Sequence, residues 1–96
     1  MLSQQYGHKR SEGLALITLG LVTVALNDDA AAAAYLATGS TYLREIGQLE
    51  ELAQGLGSEA LLAFRRGQIE LAKQFVLEAL AIADVGLEVN GALERL

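Results

Sequence analysis

Few side chains in this 96-residue sequence could carry chemistry, and each has a plainer role open to it. The single histidine, His8, has no second histidine and no cysteine to join it, whereas a nitrogen and sulfur metal site draws on several such ligands. Asp28-Asp29 and Glu50-Glu51 are adjacent carboxylates. Side chains one residue apart diverge on a helix, so these pairs suit helix starts, where the dipole favours negative charge, better than shared proton transfer. Ser40 and Ser58 have no base near them in sequence, and a nucleophilic serine needs one within hydrogen-bonding reach. Arg65-Arg66 could hold an anion, yet two cations followed by Gly67 also describe a helix end. The ten glycines form neither a phosphate-cradling loop nor a dinucleotide fingerprint, both of which follow a strand. No catalytic residue, metal site or cofactor is assigned, and the chain reads as a non-enzyme.

Composition narrows the class further. The sequence is 52% hydrophobic before its ten glycines are counted, above the roughly 45–50% usual for apolar residues and glycine together. Mean hydropathy is +0.31. Such an excess in a short chain points to surface that faces something else. Seven basic and twelve acidic residues give a net charge of −5, spread along the chain. A nucleic-acid footprint needs a clustered basic face, so no direct nucleic-acid contact is expected. Cysteine is absent, which excludes disulfides and is compatible with the cytosol. Met1 to Arg10 is too polar for a signal peptide. Gly13 to Leu26 is apolar but shorter than the ~20 residues a bilayer span requires. The expectation is a cytoplasmic protein without a membrane helix.

The elements that must position these residues are all helical, since no stretch alternates as a strand does. Proline is absent and glycine punctuates the chain. His8, Lys9 and Arg10 read as a solvated turn, with Ser11 capping a first helix that runs to about Leu26. Asn27, Asp28 and Asp29 form the sharpest boundary, where Asn can end one helix and either Asp can cap the next. The second helix runs from about Asp29 to Ile46 and stops at Gly47. A third covers Leu49 to Arg66, with Gly55 and Gly57 as candidates for a close helix crossing. A fourth runs from about Gln68 to Val85 and stops at Gly86.

These four helices repeat at an offset of forty: Leu16 answers to Leu56, Gly20 to Ala60, Ala32 to Ala72, Leu36 to Val76 and Gly39 to Ala79. The breaker pair Asn27-Asp28 falls on Gly67-Gln68. A period within ~20–50 residues is how stacked repeats show themselves, and each unit would be a hairpin that buries its apolar face only against neighbours. The division expected is one helical-repeat domain over 1–96. Its repeats occupy about 11–47 and 49–87, and partial units 1–10 and 88–96 flank them.

The hairpin of residues 11–47 resembles a tetratricopeptide repeat. That family's pattern is a large residue, then Leu-Gly, then an aromatic, with an alanine and a large apolar residue on the second helix. Here these positions hold Leu16, Leu19-Gly20, Thr23, Ala32 and Leu36, and the second copy places Leu56, Ala60, Ala72 and Val76 in the packing positions. Glu59-Ala60 stands where Leu-Gly is usual. The period of forty is similar to that of the longer repeats in sensor arms of large bacterial ATP-dependent transcription regulators. The resemblance implies an all-α fold of antiparallel hairpins stacked as a right-handed array, in a regulatory protein. It also implies that the first helix of each pair lines a concave groove. The groove positions would be Leu14, Ile17, Leu21, Val24 and Ala25, then Gln54, Gly57, Leu61, Phe64 and Arg65. Family members that grip a peptide carboxylate place Lys and Asn along such positions, and none stands there in this sequence.

The function expected is therefore recognition, with a helical or extended peptide from a protein partner seated in an apolar groove near Arg65. The alternative is self-association, in which the same face closes a homodimer. Leu14, Leu21 and Val24 cannot share a helix face with Leu16, Leu19 and Thr23, and a helix apolar all round is normally buried all round. Ile17, Leu21, Val24, Leu61 and Phe64 are the residues expected at that contact.

Overall fold

Three corners set the architecture, and each is built the same way. Asn27, Gly47 and Gly67 are left-handed, with φ of 64°, 72° and 77°. At each corner the residue after the left-handed one donates to the carbonyl five residues back: Asp28 to Thr23 O at 2.9 Å, Gln48 to Leu43 O at 2.9 Å, Gln68 to Ala63 O at 2.8 Å. The left-handed residue itself donates to Val24, Arg44 or Phe64 O at 3.0–3.2 Å. This paired closure satisfies carbonyls that a helix end leaves open, and glycine or asparagine tolerates the left-handed conformation it needs. The donor residue then starts the next helix, so helices follow one another with three-residue connections. The corners recur every twenty residues, half the offset of forty, because α2 and α3 each have 17 residues and each is followed by a three-residue connection.

The computed structural model describes the backbone of residues 2–94 and the side chains of residues 6–83. Among these residues the chain is all helical: α1 (Leu2–Ala25), α2 (Asp29–Glu45), α3 (Leu49–Arg65) and α4 (Ile69–Glu94). α1 and α2 form one antiparallel hairpin and α3 and α4 another, with α2 packed on α3 and a lesser approach of α1 to α3. Among the described residues the backbones of α2 and α4 make no close approach, and the two helices meet through the Arg44–Glu78 ion pair. The result is a slab of 48 × 36 × 17 Å.

Leu36, Leu43, Leu52 and Leu56 are the largest fully buried apolar side chains, and Ile17, Ala32 and Leu62 complete the core. Glycines bring the helices close enough to close it. A Cβ on Gly20 would lie 2.6 Å from the Leu36 side chain, and one on Gly39 would lie 2.9 Å from the Gly13 carbonyl. A Cβ on Gly55 would lie 2.8 Å from Ser40 Oγ and 2.9 Å from Ile17 Cδ1. Gly57 has open space around it, so of the two crossing candidates on α3 only Gly55 is one. Gly20 meets Leu36, the large apolar residue of the repeat pattern on α2.

Two expected boundaries are not formed. α1 runs unbroken through His8, Lys9, Arg10 and Ser11, with neither a turn nor a cap there. The reason lies in its partners. Lys9 pairs with Glu45 at 2.5 Å and lies over the Tyr42 ring, Arg10 pairs with Glu51 at 2.8 Å, and Tyr6 meets Gln48. These contacts carry the helix across the α2–α3 corner. Gly13, expected near a helix start, is instead a crossing residue facing Leu43. α4 likewise continues past Gly86 to Glu94, so no stop forms there. The side chains of the expected flanking unit 88–96 lie outside the described residues.

Which aspartate caps α2 is now resolved. Asp28 Oδ1 accepts from the Ala31 backbone N–H at 3.3 Å, while Asp29 lies in the first turn and pairs with Arg65. Asp28→Ala is expected to cost about 0.5–2 kcal/mol by removing the cap, and Asp29→Ala at most about 1 kcal/mol for an exposed ion pair. Urea melts of the two variants would check the order.

Candidate functional site

α3 is the element around which both candidate surfaces form. At 3.6 residues per turn, Ala60, Leu61 and Phe64 fall on one side of it, and Glu59, Leu62 and Arg66 on the other. A groove lies on each side.

The apolar groove has two furrows that share Leu61 and Phe64. One, of about 340 Å³, lies between α1 and α3 and is lined by Leu21, Val24, Ser58, Leu61, Phe64 and Arg65. The other, of about 540 Å³, lies between α3 and α4, with Ile69, Val76 and Leu77 on its α4 wall and Lys73 at its edge. Leu61 is 73% exposed and Phe64 66%, so the two stand as an apolar ridge between the furrows. Leu21, Val24, Leu61, Phe64 and Arg65, named from the repeat resemblance, are thus brought together. Two others from that set are not: Ile17 is buried in the core and Leu14 packs against it. Ala25 and Gln54 are exposed and Gly57 half-buried, and none of the three lines either furrow.

The packing residues divide similarly. Gly20, Ala32, Leu36, Leu56, Ala60 and Ala72 are buried and Leu16 is half-buried. Leu19 and Val76 are exposed, a correction to their expected packing roles. Leu19 lies on the same side of α1 as Val22 and Leu26, which are exposed with it. The α4 positions Ile69 and Leu77 were not recognised as groove residues, because the resemblance directs attention to the first helix of each pair. Their signal was an apolar run on α4 too broad for one buried stripe.

Arg65, the expected groove cation, is tethered. It pairs with Asp29 and donates to the Val24 carbonyl at 3.4 Å, which ties the end of α3 to the α1–α2 corner.

The second groove, about 180 Å³, is a cleft between α2 and α4 floored by α3. Ala33 and Ala37 form its α2 wall, Leu71 and Phe75 its α4 wall, and Glu59 lies in it. Glu59 is only 7% exposed. Its Oε2 accepts one long hydrogen bond, 3.3 Å, from Ser40 Oγ. Among the described residues no cation lies within ion-pair distance of Glu59. Arg44, one turn along from Ser40, is held by both carboxylate oxygens of Glu78, at 2.9 and 3.1 Å. Burial pushes the Glu59 carboxyl above its ordinary value of 4.5, and the Ser40 hydroxyl and the Arg44 charge only partly oppose this. Sequence reasoning passed over Glu59 as a departure from Leu-Gly. The overlooked signal was a charge at i+7 on the apolar stripe Leu52, Leu56, Glu59, Ala63.

That shift fixes a pH dependence. A carboxyl whose folded value is raised contributes stability fully present below 4.5 and lost as pH rises through the folded value. Glu59→Gln, which cannot ionise, should melt above the wild type at pH 7, with the difference closing as pH falls below that ordinary glutamate value. Calorimetry across pH would check it, and a wild type that melts higher at pH 7 would contradict it.

Ser40 therefore has a carboxylate neighbour. The lone histidine is elsewhere, with His8 paired to Glu12 at 2.6 Å on α1. Among the described residues no three His, Asp or Glu side chains gather as a metal site, and no helix is long and apolar enough to cross a membrane. Comparisons with protein-family models, curated proteins and solved structures found no significant match to this chain.

Proposed function

We propose that this chain is a non-catalytic interaction module, a tetratricopeptide-type right-handed array in a regulatory protein, whose apolar groove receives the apolar face of an amphipathic helix from a partner. The observation that carries this reading is the Leu61–Phe64 ridge with an open furrow on either side. Contiguous exposed apolar surface rimmed by polar groups marks interaction sites, and Arg65 and Lys73 supply such a rim. A helix laid in a groove presents anchors at i, i+3, i+4 and i+7, and the two furrows give such anchors separate places to seat.

A second copy of the chain is the alternative occupant. A ridge flanked by furrows is self-complementary in shape, as a twofold contact using one patch on both subunits requires. Light scattering at several concentrations, combined with titration of amphipathic helical peptides, separates the two. A monomer that binds such a peptide supports the first reading. A dimer lost in Leu61→Glu supports the second. A monomer that binds no amphipathic helix defeats both.

A further inference from the structure

The cleft between α2 and α4 poses a different question from the apolar groove: why a carboxylate is buried there at all. Glu59 is nine-tenths buried, beneath apolar walls, with one long hydrogen bond and, among the described residues, no ion pair. An unpaired buried charge is costly, and removing it is normally favourable. Groups held at such a cost are candidates for binding roles.

We propose that this cleft is a second binding site, which receives a lysine side chain of a partner segment, with the Glu59 carboxylate as its counter-charge. Three features fit that occupant. The Ser40 hydroxyl engages Oε2, which leaves Oε1 for one further donor. A compact ammonium needs one such oxygen, whereas the planar guanidinium fork of arginine pairs best with two. The walls of Ala33, Ala37 and Phe75 offer apolar surface along which the methylene stem of lysine packs while its charge reaches a polar group. The charges facing Glu59 leave it available. Arg44 is held by Glu78, and Arg66 lines the cleft with its side chain exposed.

The test uses Nα-acetyl-lysine N-methylamide, the norleucine analogue with the same stem and no charge, and the arginine analogue, each titrated into the full chain by NMR. The expected result is saturable shifts at Ala33, Ala37, Ser40 and Phe75, strongest for lysine. Glu59→Gln should weaken the lysine compound on the order of tenfold or more, the effect of losing a charged hydrogen-bond partner, and bring it level with norleucine. Ala37→Leu should block both by filling the cleft. In the wild type itself, lysine binding should strengthen as rising pH ionises Glu59 while norleucine binding stays constant. Norleucine binding as well as lysine, Glu59→Gln keeping the lysine preference, arginine binding more tightly than lysine, or shifts outside the cleft would each overturn the proposal.

Discussion

Gly39→Leu is expected to lower the melting temperature steeply, and Gly57→Ala to raise it, although both replace a helical glycine. At Gly39 even a Cβ would sit 2.9 Å from the Gly13 backbone carbonyl and 3.0 Å from Ile17 Cδ1. A backbone oxygen cannot turn aside as the end of a side chain can, so α1 itself must move off α2. Ile17 sits at the three-helix junction and would be displaced too. Inserting a whole leucine should reach or exceed the top of the roughly 1–3 kcal/mol range for overpacking. At about 4–8 °C per kcal/mol for a domain this small, the fall is on the order of 10 °C or more. Gly57 has nothing within 4 Å of its position. There the substitution removes only backbone freedom, which should stabilise by up to about 1 kcal/mol. Calorimetry on the two variants decides the matter. A Gly39→Leu variant that melts no lower than the wild type would mean that the glycines at the α1–α2 crossing are not in close contact.

Phe64→Ala should weaken the association proposed for the apolar groove by roughly 2 kcal/mol or more, about thirtyfold, as central aromatic anchors do. It should leave the melting temperature of the unassociated chain nearly unchanged. The asymmetry follows from position. Phe64 is two-thirds exposed and contributes little to the core formed by Leu36, Leu43, Leu52 and Leu56. Leu61→Glu should act more strongly, because it places a charge on the ridge that an apolar partner must cover. Binding isotherms with the peptide found by titration, or dimer dissociation if a second copy is the occupant, give the first quantity. Thermal melts at low concentration give the second. A large loss of stability with Phe64→Ala would show that the side chain is part of the fold rather than of an interaction surface.

What the sequence by itself determined is what depends on neighbours a few residues away. The corners at Asn27, Gly47 and Gly67 were legible because a left-handed residue after a helix, followed by a starter, is a local requirement of backbone sterics. From those corners the limits of α2 and α3 followed closely. Burial of Ala32, Leu36, Leu56, Ala60 and Ala72 is what the forty-residue offset and the resemblance to the repeat pattern implied. Only the tertiary structure decided what each remaining glycine is for. Gly13 and Gly47 look alike in sequence, yet one lets α1 touch α2 at Leu43 and the other ends a helix. Glycine permits both a positive φ and a close approach, and the neighbour that distinguishes them is distant in the chain. The same holds for charge. Lys9 and Arg10 read as a solvated turn until Glu45 and Glu51, supplied by the α2–α3 corner, show why the helix continues through them. Glu59 looked like a repeat imperfection, and only the folding of α2 over α3 places Ser40 beside it and encloses it. Short-range periodicity specifies which face of a helix is apolar. Which of those faces meet, and which polar group is trapped between them, depends on how the helices dock.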